Sequence, residues 1–310
     1  MINLEPINQT KLFGLNQYIN ELIQLFNTNK LPNKILLSGQ KGSGKATLAY
    51  HFINYVLSRG EEFEYDTNNY EIDDKSTTFK TILNRSNPNF ILIDIDLEKK
   101  FIDLNQIREL ISKLNKSSFN QKKRFILIDN IEFLNANSIN ALLKILEEPS
   151  ANVHFILINN NKKILPTLLS RCINLRISLS NNQSLEIVNK LFDSNLDEII
   201  NNELINYYST PGYISNLILF AKKNEYDLSQ LNLKQFLKLI IKDNHYKKNV
   251  LTKYFIFDLI ELYFSRVNFS ISKNINNEYS RFLKKISNSI KFNLDEESLF
   301  MEFEDKILDG

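Results

Sequence analysis

The stretch Ile35–Ala49, ILLSGQKGSGKATLA, decides how the rest of the chain is read. Apolar and small residues run into Gly39, Gly42, Gly44 and Lys45, and helix formers follow, so the order is strand, phosphate-binding loop, helix. Such a loop needs glycines because its backbone must curl until successive N–H groups point inward at an anion, where a side chain would block the approach. The positive end of the following helix adds to the attraction, and the Lys45 ammonium reaches the terminal phosphates. The spacing Gly39, four residues, Gly44, Lys45 fits the Walker A pattern, with Ser43 inside it. One position departs: Ala46 stands where a Ser or Thr hydroxyl would ligate Mg²⁺. Thr47 is one residue late, roughly 100° further round the helix, and is a poor replacement. A Gly-rich turn before a helix can also be an ordinary connection, so this reading needs support from elsewhere in the chain.

Support comes from Phe125–Asp129, FILID, a strand pattern that delivers Asp129 at its carboxyl end. An aspartate there, beside a phosphate loop, holds Mg²⁺ through water, which is the Walker B arrangement. The hydrolytic version places Glu directly after this Asp to orient the attacking water; here the residue is Asn130, whose amide cannot accept a proton. Glu132 follows two positions on and is expected to head elsewhere. Val153–Ile158 reads as a further buried strand ending in Asn159 and Asn160; either residue is a sensor of a γ-phosphate or part of an Asn-rich turn, and Asn159 is the candidate nucleotide contact. Lys122, Lys123 and Arg124 before FILID either solvate a loop or touch a phosphate backbone.

Working outward, Leu15–Phe26 keeps a helical period, Lys34–Ser38 is a first strand, and Thr47–Ser58 continues the helix opened by the loop. His51, with no partner at ligand spacing, is expected to face solvent. Residues 59–87 read as a loop-rich acidic insertion with a short helix at Thr78–Leu83. Asn89–Asp94 is a second strand, and Asp103 caps a helix carrying Ile107, Leu110, Ile111 and Leu114. Ala136–Glu148 is a helix stopped by Pro149; Pro166 opens a short turn, and Ser170–Arg171–Cys172 leads into a fifth strand, Ile173–Ile177. Arg171 is either a structural ion-pair partner or a finger directed at a neighbouring subunit. Strands alternating with helices predict an α/β domain with a parallel five-stranded sheet covered on both faces, its ligand site at the carboxyl ends where Gly39–Lys45, Asp129 and Asn159 all fall.

After Ser180 the strand signal disappears. Helices are expected at Gln183–Phe192, Leu196–Tyr208 and Tyr213–Lys223, a small helical lid; long amphipathic helices from Tyr226 onward form an all-α region whose wide apolar faces imply packing against sister helices or partners. The expected domains are 1–179, 180–224 and 225–310. Lys247, Lys248, Lys253, Lys273, Lys284, Lys285 and Lys291 make the last part basic and Asp295–Asp309 acidic, which reads as solvated faces.

The bulk properties exclude several classes. At 310 residues and 43% hydrophobic the chain is globular and long enough for two or three domains. A formal charge of +2 does not by itself mark a nucleic-acid binder. A single cysteine, Cys172, no leading apolar segment and no membrane-length apolar run lead to the expectation of a soluble, cytoplasmic protein without disulfides.

Three passages carry a resemblance: GQKGSGKATLAY (Gly39–Tyr50), DNIEFLNANSINALLKILEEPSANVHFILINN (Asp129–Asn160) and ILPTLLSRC (Ile164–Cys172). Their order is similar to that of the AAA+ clamp-loader family, in its delta prime branch within the bacterial DNA polymerase III holoenzyme. The resemblance covers most of Ile35–Cys172, and the pairing of LLKILEEP with SRC is its most specific part. It implies an AAA+ P-loop domain, a helical lid and a helical collar that joins a hetero-oligomeric ring with gamma/tau and delta subunits. It implies partners in the sliding clamp and primed DNA, met through the assembly, and a stator role without nucleotidyl transfer of its own. It implies that Arg171 serves the ATP site of the adjoining subunit in trans, flanked by Ser170 and Cys172, and that Ala136–Lys144 lies near the chamber where DNA passes. The candidate nucleotide-binding residues are Gly39, Gly42, Ser43, Gly44, Lys45, Thr47, Asp129 and Asn159, for ATP or ADP with Mg²⁺ at a degenerate site. Tyr213 stands where relatives carry an arginine reaching over the nucleotide. Many relatives hold zinc with four cysteines after the first loop helix; residues 59–88 contain no Cys, so no zinc is expected. The alternatives are a self-sufficient AAA+ ATPase motor, gamma/tau-like or a helicase loader, and a nucleic-acid-binding module with a vestigial loop.

Overall fold

The computed structural model describes residues 4–95, 101–115, 122–147, 152–248, 250–267, 281–282, 284–285 and 297–308. Helix α1 (Asn16–Asn27) precedes strand β1 (Lys34–Ser38), and the glycine loop connects β1 to α2 (Lys45–Leu57). There follow α3 (Thr77–Leu83), β2 (Phe90–Ile93), α4 (Leu104–Leu114), β3 (Arg124–Ile128), α5 (Ala136–Glu147), β4 (Val153–Asn159), α6 (Pro166–Leu169), β5 (Ile173–Arg176) and α7 (Asn181–Phe192).

The five strands form one parallel sheet in the order β2-β3-β4-β1-β5. Central strands are apolar at nearly every position because both faces are covered, as parallel sheets require. Alternate residues serve opposite faces: Leu37, Phe125, Leu127, Ile156 and Ile158 pack with Leu48, Phe52 and Ile53 of α2. Leu36, Ile126, Ile128, Phe155 and Leu157 pack with Leu110 of α4 and Leu142 and Leu146 of α5. The register pairs Ser38 with Asn159, and Ile93 with Ile128. The loop after β1, the first residues after β2 and β3, and the end of β4 therefore lie together along one edge of the sheet.

The chain divides into two compact units, Met1–Leu191 with Thr210–Ser215, and Phe192–Ser209 with Asn216–Gly310. Helix α9 (Pro211–Lys223) opens in the first unit and continues in the second. The second unit is helical among the described residues, with α8 (Leu196–Ile199), α10 (Leu233–Lys242), α11 (Val250–Val267) and α12 (Glu297–Phe303). Its core is aromatic: Tyr246 and Phe257 stack on Phe300, and Phe264, Phe282 and Phe303 interlock. Asn232 and Gln235 close α10 with a reciprocal capping box, as Asp103 and Gln106 close α4.

Two sequence expectations are corrected. His51 is fully buried, its Nδ1 3.1 Å from the Tyr65 hydroxyl and its Nε2 3.1 Å from the Gln9 carbonyl; burial moves its pKa down to about 4. Leu196–Tyr208 is not one helix: four residues of α8 are followed by a 3-10 turn, Asn202–Leu204, and a loop. Asparagines divide it, because Asn201 accepts from the Glu203 N–H and Asn206 from the Tyr208 N–H, offering the backbone local alternatives to the helix. Pro149, Glu148, Lys273, Lys291, Asp295 and Asp309 lie outside the described residues.

Candidate functional site

The loop between β1 and α2 curls as its glycines allow: Gly39, Gly42 and Gly44 all have positive φ, and Gly44 is the N-terminal cap of α2. Ser43 and Lys45 are buried in it. The Lys45 ammonium turns back onto the loop, donating to the Gly39 carbonyl at 3.0 Å and the Gln40 carbonyl at 2.5 Å, with Ser43 Oγ at 3.4 Å. Burial moves its pKa down to about 8, against the pull of Asp129 and Glu132. The start of α9 is fastened across this loop. Thr210 Oγ1 donates to the Lys41 carbonyl at 2.8 Å, and the Gly212 N–H to the Gly42 carbonyl at 2.9 Å. A Cβ on Gly212 would sit 2.6 Å from Gly42 Cα, so both positions need glycine for the close approach.

Opposite the loop stands a polar cluster on the ends of β2, β3 and β4. The Asp129 N–H donates to the Ile93 carbonyl at 2.9 Å, which sets Asp129 beside Asp94. Burial, with the charge of Asp94 next, raises Asp129 to about pKa 7, while the Asn130 N–H and Lys45 pull it back. Asn130 adopts a left-handed conformation, φ 56°, and its amide spans the cluster: Nδ2 donates to Asp94 Oδ1 at 2.8 Å and Oδ1 accepts from Asn160 Nδ2 at 2.7 Å. Asn160 Nδ2 also reaches Glu132 Oε1 at 2.9 Å. Glu132, expected to head away, is brought in because the left-handed Asn130 starts a 3-10 turn, Ile131–Phe133, that swings it back.

Asn159 and Asn160 have separate tasks. The Asn159 side chain closes its own turn, donating to the Lys162 carbonyl at 2.9 Å and accepting from the Lys162 N–H at 3.2 Å. Of the two asparagines the sequence puts at this strand tip, Asn160 joins the cluster and Asn159 does not; Asp94 and Glu132 are the members that the sequence did not assign to the site, and the only signal was their nearness to strand ends. Thr47 is half-buried on α2, and Ala46 packs partly against the core. Arg171 belongs to another part of the first unit. It follows α6, donating from Nη1 to the Thr167 carbonyl at 2.8 Å and from Nη2 to Glu147 Oε1 at 2.7 Å.

The glycine cradle and the Lys45 ammonium suit a phosphate. Mg²⁺ is served less well, since Ala46 offers no hydroxyl and no group of three or more His, Cys, Asp or Glu able to hold a metal occurs among the described residues. In the insertion, Glu61 ties the chain together by accepting from Ser76 Oγ at 2.9 Å and Thr78 Oγ1 at 2.6 Å, and Asp66 and Glu71 exchange backbone hydrogen bonds.

Comparison with known proteins agrees with this architecture. The family described as DNA polymerase III, delta subunit, matches residues 14–181. The chain is 27% identical over 294 residues to DNA polymerase III subunit delta' of Buchnera aphidicola, covering 88% of this chain and 84% of that protein. It is 30% identical over 168 residues to DNA polymerase III subunit gamma/tau of Mycoplasma genitalium, covering 54% of this chain but 27% of that longer protein. Among solved structures, a DNA polymerase III gamma subunit-related protein of Thermotoga maritima superposes with a TM-score of 0.52 over 90% of this chain and 96% of that one, at 17% identity. That likeness, with the five-stranded parallel sheet and its glycine loop, is the AAA+ P-loop fold. The chain belongs to the DNA polymerase III delta-subunit family, as a delta prime-type member of the bacterial clamp loader.

Proposed function

We propose that this chain is a stator of the clamp loader: a subunit that does not turn over nucleotide itself and presents Arg171 in trans to the ATP site of a neighbouring gamma/tau-type subunit. The observation that carries the reading is Asn130. An amide stands where the hydrolytic arrangement has a carboxylate, and it is held there by Asp94 on one side and Asn160 on the other. An amide in that position can neither take the proton of an attacking water nor polarise it. The loop residues Gly39, Gly42, Ser43, Gly44 and Lys45 remain able to hold the phosphates of ATP or ADP once Lys45 releases its carbonyls. Arg171 contributes a delocalised positive charge, of the kind that stabilises charge on a transferring phosphoryl group.

On this reading residues 1–179 form the nucleotide-type domain, 180–224 the lid and 225–310 the collar that joins gamma/tau and delta subunits. The sliding clamp and primed DNA are met through the assembly, in the cytoplasm. In the reconstituted loader, Arg171→Ala should depress DNA-stimulated ATPase activity through the one site it serves, where a trans-acting arginine supplies ~10³-fold. An unchanged rate would rule out the finger role.

A second reading, a self-sufficient motor, is favoured by one observation: the Glu132 carboxylate points into the cluster beside Asn160. It requires the purified chain alone to hydrolyse ATP above a Lys45→Ala control and to lose that activity on Glu132→Gln. The stator reading expects no turnover above the control.

A further inference from the structure

We propose that Glu147 is the positioning residue for Arg171. The inference rests on the reading of Arg171 as a trans-acting arginine and names the side chain of this chain that aims it. The guanidinium is gripped at both ends of its fork, by the Thr167 carbonyl on Nη1 and by Glu147 Oε1 on Nη2. Of its five N–H donors, two are engaged among the described residues, which leaves a face for an anion outside this chain.

Both supports adjoin buried residues of the first unit. Glu147 is the last residue of α5, directly after the fully buried Leu146, whose carbonyl accepts from Lys34 Nζ at the start of β1 at 3.0 Å. Thr167 lies on α6 next to the buried Leu168, and the turn that follows is closed by Ser170 N–H on the Pro166 carbonyl at 2.9 Å. Glu147 therefore reports the position of the sheet and α5 to the arginine.

The pair contributes little to folding, because the side chains are 30% and 54% exposed and water competes for both charges. Its effect is on orientation. An arginine on a free stem samples many rotamers, and one held at two points has already lost most of that freedom before a neighbouring phosphate arrives. The role asked of Glu147 is that of a hydrogen-bond acceptor in a fixed place, so glutamine should supply it and alanine should not.

The test uses the complete reconstituted loader carrying Glu147→Ala, Glu147→Gln, Arg171→Ala or the Glu147→Ala/Arg171→Ala pair. Glu147→Ala should reduce kcat for ATP ~5-fold with KM unchanged, as a misoriented but still present arginine would. Glu147→Gln should stay within about twofold of the parent, and Glu147→Ala should add nothing in the Arg171→Ala background. The thermal midpoint of each variant chain should match the parent. A normal rate with Glu147→Ala, when Arg171→Ala is impaired, overturns the positioning role alone. So does a further loss in the double variant, which would mark an independent structural effect. A normal rate with Arg171→Ala removes the finger reading, and this inference with it.

Discussion

At the scale of single residues, Asp129 shows how the site balances charge. Its carboxyl is raised to about pKa 7 by burial and by Asp94, so between the ordinary aspartate value and that point the folded state holds a proton that the unfolded chain has released. Its contribution to stability is present at acid pH and is lost as pH rises through about 7. Asp129→Asn removes the ionisation and keeps the acceptor for the Asn130 N–H. The variant should therefore melt at a higher temperature than the parent above about pH 7, with the gain shrinking toward pH 5. A gain equal at both ends of that range would show that Asp129 is not strained by ionising. His51 shows the opposite limit of sequence reasoning: nothing in its neighbours along the chain says that Tyr65 and the Gln9 carbonyl close over it.

At the scale of elements, the fastening of α9 onto the phosphate loop is the contact with the largest consequence. Gly42 and Gly212 meet backbone to backbone, with no flexible side chain to yield. Gly212→Ala should cost about 1–3 kcal/mol, the usual penalty for overpacking, and Thr210→Val about 1 kcal/mol for the lost bond to Lys41. Chemical denaturation of the two variants measures both, and a neutral Gly212→Ala would mean that the strap lifts without cost. The same element scale explains the broken helix at Leu196–Tyr208. The apolar spacing there is helical, and Asn195 caps its first turn, but Asn201 and Asn206 each bond a nearby N–H in a non-helical geometry and divide the run.

At the scale of the whole molecule, the formal charge of +2 provides no general attraction to DNA, so any contact with DNA has to come from local patches. No helix among the described residues is long and apolar enough to cross a membrane. The insertion at residues 59–88, without cysteine, is closed by carboxylate and backbone hydrogen bonds. Metal analysis of purified protein should find zinc well below stoichiometry, and chelator treatment should leave the unfolding curve unchanged; about one equivalent of tightly held zinc would contradict this.

The sequence by itself determined the strands, their parallel arrangement and the loop that carries Lys45. Those features are local: buried strands read as apolar runs, a phosphate loop demands glycine at fixed spacing, and Asp103 announces its helix by a cap. The departures at Ala46 and Asn130 were equally legible, because each is a change of residue type at a position whose chemistry is set by the motif. Only the tertiary structure decided what surrounds those positions. The gathering of Asp94, Glu132 and Asn160 around Asn130 depends on strand register and on one left-handed residue. The bond from Thr210 to Lys41 joins positions 169 residues apart, and the grip of Glu147 on Arg171 joins positions 24 residues apart. Contacts of that range have no periodicity to betray them, since they are set by how whole elements pack.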